Sequence, residues 1–249
     1  MKRGELEVVN RKPNLVVVDL DGTLYEYEVC HVAGMESLYE FLKPQLGLSK
    51  TEFQSCIDQS RARVKTRLGN TASSHSRLIY LEQFMIDYKL GFRPKLLLQG
   101  AQIYWSTFLS RMIIRPGVEE FLLTCRQLGI RVAVVTDLTS EIQLRKIVRL
   151  GLETYVDYFL TSEFVGSDKE TMAGFELLKG LQENFGNSFS WYIGDSEYDA
   201  PSKKWLEANN LMGSTIHFRI PDVSFVSLVK QMKVQFELAE TMNTAPPAP

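Results

Sequence analysis

Two carboxylates, Asp19 and Asp21, close an apolar run in the stretch Leu15 to Tyr25, LVVVDLDGTLY. An ionised carboxylate in an apolar setting is costly unless it is paired, so both charges belong at the end of the strand, in a cleft, with a partner. A hard cation is the natural partner for paired carboxylates that stay ionised. Gly22 lets the backbone turn where a side chain would clash. Taken alone, Asp-Leu-Asp-Gly-Thr is equally a strand-ending turn rich in turn formers. The chemical reading therefore depends on whether other strands bring matching groups to the same end of a sheet. Three further apolar runs end in such groups: Thr136 and Asp137; Thr161 and Ser162, with Lys169 entering the next helix; and Asp195, Ser196 and Asp199.

The elements that must position these groups follow from periodicity. Beyond Tyr25, Met35, Leu38, Tyr39 and Leu42 fall at helical spacing, and Pro44 with Gly47 punctuates the end. Ser49-Lys50-Thr51-Glu52 reads as a helix start, and residues 95–112 as a further helix. The stretch from Tyr25 to Ile113 thus reads as all-helical. From Val118 the pattern alternates. Strands are expected at 132–137, 157–162, 190–195 and 214–220, and helices at 119–128, 141–150, 170–184, 199–209 and 224–239. This alternation predicts an α/β fold, a doubly wound, mostly parallel Rossmann-like sheet with an inserted all-helical cap. The expected organisation is a core of residues 14–24 and 114–240, a helical cap at 25–113, and flexible termini at 1–13 and 241–249. Ligand sites in such sheets lie at the carboxyl ends of the strands.

In these motifs the chain resembles the haloacid dehalogenase superfamily of aspartate-nucleophile hydrolases, over about residues 14 to 220. The first motif stands as DLDGT, Asp19 to Thr23; the second as VVT, ending at Thr136; the third as Lys169 with Phe175-Glu176 following; the fourth as GDSEYD, giving Asp195 and Asp199. Two departures stand out. Glu170 follows Lys169 where relatives usually carry proline, and Asp137 follows Thr136 where Asn, Ser or Gly is commoner.

The resemblance implies a Mg²⁺-dependent phosphomonoester hydrolase working through an aspartyl-phosphate. Asp19 would be the nucleophile and Asp21 the acid and base. Thr136 and Lys169 would hold the phosphoryl oxygens, with Gly22 and Thr23 shaping the phosphate loop. Asp19, the backbone carbonyl of Asp21 and Asp195 would bind Mg²⁺, with Asp199 close by or through water. Some members of the family are metal-independent dehalogenases, which lack the second carboxylate; Asp21, Asp195 and Asp199 together favour phosphoryl chemistry. The insert resembles the family's cap of the first type, which implies a small soluble substrate, a sugar phosphate or nucleoside monophosphate. Ser73, Ser74, His75 and Arg77 could contact a leaving group or be solvated loop residues. Two alternatives stand beside the hydrolase: a non-catalytic ligand- or partner-binding relative, and a phosphomutase.

Composition narrows the partners. The chain has 249 residues, 45% hydrophobic and 23% charged, with a net charge of −2. That balance offers no electrostatic footprint for nucleic acid and no basic face for a membrane. No secretory signal and no membrane-spanning run is evident. Cys30, Cys56 and Cys125 lack metal or framework spacing, which points to reduced thiols and a cytoplasmic location. The histidines, His31, His75 and His217, are isolated in sequence.

Overall fold

Leu15, Val16, Val17 and Val18 are each 1% exposed or less. They form β1 (Leu15–Val18), the middle strand of a sheet covered on both faces. Alternate side chains enter opposite layers: Leu15 and Val17 join Ala133, Leu160, Phe175 and Tyr192, while Val16 and Val18 join the larger cluster that includes Phe121 and Trp191. A continuous apolar run is what such two-sided burial demands. The computed structural model describes residues 11–181 and 189–237. The expected flexible segments 1–10 and 241–249, and the far ends of the helices expected at 170–184 and 224–239, lie outside the described residues. Arg11, expected in a flexible terminus, lies over the Phe189 ring.

Five parallel strands are joined in the order β3-β2-β1-β4-β5, with β2 at Arg131–Thr136, β3 at Tyr158–Thr161, β4 at Ser190–Gly194 and β5 at Thr215–Arg219. The chain steps from β1 to β2 and β3 on one side, then returns to place β4 on the other side of β1. The strand order therefore reverses beside β1, and a crevice at such a switch point is where α/β sheets bind ligands. Val18 is level with Val134 and Ile193, and the Asp19 amide extends the ladder by donating to the Ile193 carbonyl at 2.9 Å.

Between β1 and β2 lie α1 (Tyr27–Leu46), α2 (Lys50–Leu68), α3 (Arg77–Asp87), α4 (Pro94–Ser110) and α5 (Val118–Gln127). The first four form the helical insert. Ser49 and Glu52 close a capping box at the start of α2, as their spacing predicts. The insert leaves and re-enters the core at one place: Tyr25 bridges Ile114, and the Arg115 amide donates to the Leu24 carbonyl at 2.8 Å. The remaining helices are α6 (Ser140–Leu150), α7 (Ser162–Val165), α8 (Ala173–Leu181), α9 (Lys203–Ala208) and α10 (Phe225–Met232).

Two segments differ from the periodicity reading. Lys169 stands in a 3₁₀ turn, Lys169–Thr171, separated from α8 by Met172 at φ 68°. Asp199 ends a second 3₁₀ turn, Glu197–Asp199, and α9 begins only at Lys203. Pro201 forces the preceding Ala200 into extended backbone (φ −121°, ψ 153°), which a continuous helix cannot accept. Among the described residues no helix is long and apolar enough to cross a membrane.

Candidate active site

The carboxylates at the ends of β1 and β4 meet. Oxygens of Asp19, Asp195 and Asp199 all lie within 4.8 Å of one another. Asp19 is 4% exposed and accepts from the Thr23 hydroxyl at 3.1 Å. Asp199 is fixed by its own turn, its Oδ2 accepting from the Ser196 amide at 2.7 Å. Two glycines make room. A Cβ on Gly22, which sits at φ 83°, would fall 2.2 Å from Asp195 Oδ2, and one on Gly194 would fall 2.1 Å from the Asp199 Cβ. Thr23, expected beside a phosphate, is fully buried and spends its hydroxyl on Asp19 instead, because its side chain turns back under the strand end.

Lys169 answers these charges from the opposite side. Its Nζ donates to Asp19 Oδ1 at 2.7 Å and to Asp199 Oδ1. Burial alone would discharge Lys169, but Asp19, Asp199 and Asp137 outweigh it and hold the ammonium above its usual range. Burial pushes Asp19 well up, aided by Asp199 and Asp21 and opposed by Lys169. Burial and then Asp199 likewise raise Asp195. One ammonium does not neutralise three carboxylates, and the gathered donors are all hard oxygens. Ligands of a Mg²⁺-sized ion at about 2.1 Å per bond stand no more than about 4.2 Å apart, and the three oxygens gather within 4.8 Å of one another. The three carboxylates therefore fit a divalent cation of the Mg²⁺ type.

Thr136 ends β2 at the cleft, 1% exposed. Its Oγ1 accepts from Gln143 Nε2 at 2.7 Å, which leaves its own proton free to donate to a ligand. Asp137 lines the cleft beside it: its Oδ1 accepts from the Lys169 backbone amide at 2.9 Å, and its carbonyl accepts from Gln143 at 2.7 Å. The unexpected carboxylate beside Thr136 thus anchors the turn that carries Lys169.

The Asp21 carboxylate faces away from this cluster. Lys146 Nζ, fully buried on α6, lies 2.7 Å from both of its oxygens, and Tyr25 and Gln143 donate to it as well. Burial would raise Asp21, but Lys146, Tyr25 and Gln143 overcome it and hold the carboxyl below its usual range. Of the four aspartates expected at a cation, Asp21 could therefore offer only its backbone carbonyl. Lys146 and Gln143 escaped the sequence reading, which had no rule for polar residues on a buried helix face.

Above these groups is a cleft of about 290 Å³ between the sheet and the insert. Its core wall carries Asp19, Asp21, Thr136, Lys169, Asp195 and Asp199; Arg61, His75 and Arg77 are among its insert-side residues. Of the loop residues considered beforehand, His75 and Arg77 reach the cleft. Ser73 is exposed outside it, and the buried Ser74 accepts from the Tyr80 hydroxyl at 2.6 Å through its carbonyl. His75 Nε2 lies 2.9 Å from Asp168 Oδ2, tying the insert to the residue before Lys169.

The chain matches known proteins at the level of family and fold. The family described as haloacid dehalogenase-like hydrolase matches residues 16–209. A ribulose-1,5-bisphosphate 5-phosphatase of Halopiger xanaduensis is 37% identical over 164 residues, 65% of this chain and 68% of that protein. A glyceraldehyde 3-phosphate phosphatase of Methanocaldococcus jannaschii is 23% identical over 182 residues, 72% of this chain and 75% of that one. The fold is shared with a 2-haloacid dehalogenase of Pseudomonas syringae (TM-score 0.61, 18% identity, 92% of this chain and 100% of that one). It is shared too with a magnesium-bound hydrolase of Bacillus subtilis (TM-score 0.58, 16% identity, 86% and 90%).

Proposed function

The chain belongs to the haloacid dehalogenase-like hydrolases, phosphatases among them, and from that premise we propose that it is a divalent-cation-dependent phosphatase of small sugar phosphates. The observation that carries the reading is the convergence of Asp19, Asp195 and Asp199 within 4.8 Å around the Lys169 ammonium. Nothing in the packing of the sheet requires that many charges in one place, and the burial of Asp19 and Asp199 is costly unless they act on a ligand.

Asp19 attacks phosphorus; the P–O bond to the sugar breaks as the P–O bond to Asp19 forms, giving an aspartyl-phosphate and releasing the alcohol. The leaving oxygen takes its proton by way of Asp21, which is ionised in the free site and so first collects one from solvent or from the monoanionic ester. In the second half, water loses a proton to Asp21 and attacks phosphorus, and Asp19 is freed with inorganic phosphate. Thr136 Oγ1 and Lys169 Nζ hold the phosphoryl oxygens, and Lys169 offsets the charge of Asp19 as the dianion approaches. Mg²⁺, held by Asp19, Asp195 and Asp199 with the Asp21 carbonyl, would supply the remaining neutralisation of the phosphoryl group. The insert acts as a cap that excludes water.

The size of the cleft, at the lower end of the roughly 300–1,000 Å³ of small-molecule sites, favours a compact sugar phosphate over a nucleoside monophosphate. The relatives named above act on a pentose bisphosphate and a triose phosphate, in keeping with this. The test is phosphate release from a panel of sugar phosphates and nucleoside monophosphates, with Mg²⁺ or with EDTA, for the wild type and Asp19→Asn. Metal-dependent release that disappears in Asp19→Asn is expected. A folded, metal-supplied protein that releases phosphate from none of them overturns the reading.

A further inference from the structure

We propose that the substrate carries a second oxyanion besides the phosphate it loses, and that Arg61 and Arg77 of the insert receive it. This inference rests on the phosphatase reading of the same cleft and names the substrate class within it.

The insert side of the cleft holds two guanidiniums that no carboxylate neutralises. On α2, Arg63 pairs with Asp87 and Arg67 Nη1 donates to Gln83 Oε1 at 2.6 Å. Arg61, on the same helix, is exposed and lines the cleft with Tyr80, and it pairs with no carboxylate among the described residues. Arg77, at the start of α3, is held still without being neutralised. Its Nη1 donates to the His75 carbonyl at 3.1 Å and its Nη2 to the Tyr27 hydroxyl. Its guanidinium carbon lies 5.3 Å from the Tyr80 and Tyr104 ring centroids and 5.8 Å from that of Trp105. Aromatic faces and neutral acceptors orient a cation and leave its charge intact. The Arg77 Nε is buried with no partner at all.

A buried arginine kept only for stability is normally paired, since an uncompensated buried charge is expensive, and the Arg77 Nε has no partner. With the exposed Arg61 lining the same cleft, it makes a ready receptor for a planar or tetrahedral oxyanion, which guanidinium forks bind through parallel hydrogen bonds. The transferred phosphoryl group does not account for them: it has Lys169 and Thr136 on the core wall, where Asp19, Asp195 and Asp199 would hold a cation as well. The insert's charges sit on the other wall and are left for a different part of the substrate. The second oxyanion is a phosphate or a carboxylate, and the same fork chemistry serves either.

The experiment compares three phosphate esters on one short sugar skeleton: a bisphosphate, a phosphorylated sugar acid, and the monophosphate with a neutral distal end. For each, kcat and KM are measured in wild type, Arg61→Gln, Arg77→Lys and, as a control outside the cleft, Arg63→Gln. The wild type is expected to prefer at least one doubly charged ester over the monophosphate by roughly ten- to a hundredfold in kcat/KM, the usual effect of charge-assisted hydrogen bonds. Which ester is preferred tells phosphate from carboxylate. In Arg61→Gln and Arg77→Lys that preference should shrink at least several-fold, mainly through KM, and Arg63→Gln should keep it. Calorimetric affinities of the same three esters for Asp19→Asn, with and without Arg61→Gln, give the ratio independently of turnover and decide the matter should no ester be hydrolysed. Hydrolysis of the monophosphate with no preference for a second charge, or a preference that both arginine variants retain, overturns the proposal and leaves the phosphatase reading standing.

Discussion

Replacing Lys146 by Met tests the arrangement around Asp21. Lys146 is fully buried, 2.7 Å from both Asp21 oxygens, and its ammonium lies 5.5 Å from the Trp105 ring centroid and 5.3 Å from that of Phe108. Methionine fills much of the same space and packs well against aromatic rings, so the substitution chiefly removes the charge. Breaking a buried ion pair from one side costs roughly 3–5 kcal/mol. The Asp21 side chain is 24% exposed and keeps Tyr25 and Gln143 as donors, so the expected loss is nearer 2–3 kcal/mol. Urea denaturation at pH 7 measures it. The sign with pH is fixed by the depressed carboxyl. Stability from ionised Asp21 is fully present above its unfolded value near 3.8 and is lost as pH falls through its lower folded value. The gap between wild type and Lys146→Met should therefore be complete at neutral pH and close below about pH 4. Activity should respond to the leaving group. On the proposed mechanism an alkyl phosphate depends on a proton from Asp21, and although the carboxyl is protonated more readily without Lys146, losing the contact that aims it should lower turnover of the alkyl ester, whereas an aryl phosphate with a good leaving group should lose far less. A stability loss under about 1 kcal/mol together with equal rate losses on the two substrate types would refute the assignment of Lys146 to Asp21.

Two further outcomes are expected. Gly22→Ala combines a left-handed backbone, about 1–2 kcal/mol for a residue with a Cβ, with a Cβ 2.2 Å from Asp195 Oδ2; Mg²⁺ affinity measured by calorimetry should drop at least about tenfold, and unchanged affinity would remove Asp195 from the cation site. His31, whose Nδ1 lies 2.8 Å from the Tyr104 hydroxyl, is lowered to about 4 by burial and by Arg77 and Arg61. The unfolded chain then binds more protons between about pH 6.5 and 4, so acidification across that window should destabilise the protein, and His31→Phe should flatten the decline in the urea midpoint.

The groups at the strand ends were legible because a parallel sheet sends every strand's carboxyl end to one side, and an apolar run that stops at Asp or Thr marks that side. Lys146 and Gln143 were illegible for a definite reason. On α6 the apolar Leu144 and Val148 are 50% and 62% exposed, while Gln143 and Lys146 are fully buried. Ile142 and Ile147 of the same helix are buried in the core as periodicity would place them, but periodicity gives no reason to bury the polar Gln143 and Lys146 beside them, whose partners Thr136 and Asp21 stand on other elements. The three arginines of α2 pose a similar problem: Arg61, Arg63 and Arg67 share one polar helix, and only the position of Asp87 and Gln83 on α3 separates the two that are satisfied from the one that faces the cleft. The 3₁₀ turn at Lys169 was read as helix because local propensity cannot see a carboxylate 32 positions away, Asp137, accepting from the Lys169 amide.

That turn is where substrate selection and chemistry meet. Asp137 holds the Lys169 amide from the sheet side, while the insert holds the preceding residue: the Asp168 amide donates to the Asn70 carbonyl at 3.1 Å, and Asp168 Oδ2 meets His75 at 2.9 Å. Two residues beyond His75 stands Arg77, whose Nη1 returns to the His75 carbonyl. The ammonium that faces Asp19 and the guanidinium on the insert are thus linked through the contacts of one turn, Lys169–Asp137 on one side and Asp168–His75–Arg77 on the other. A displacement of the insert that moved Arg77 away from the cleft would also release Asp168 and loosen the turn carrying Lys169.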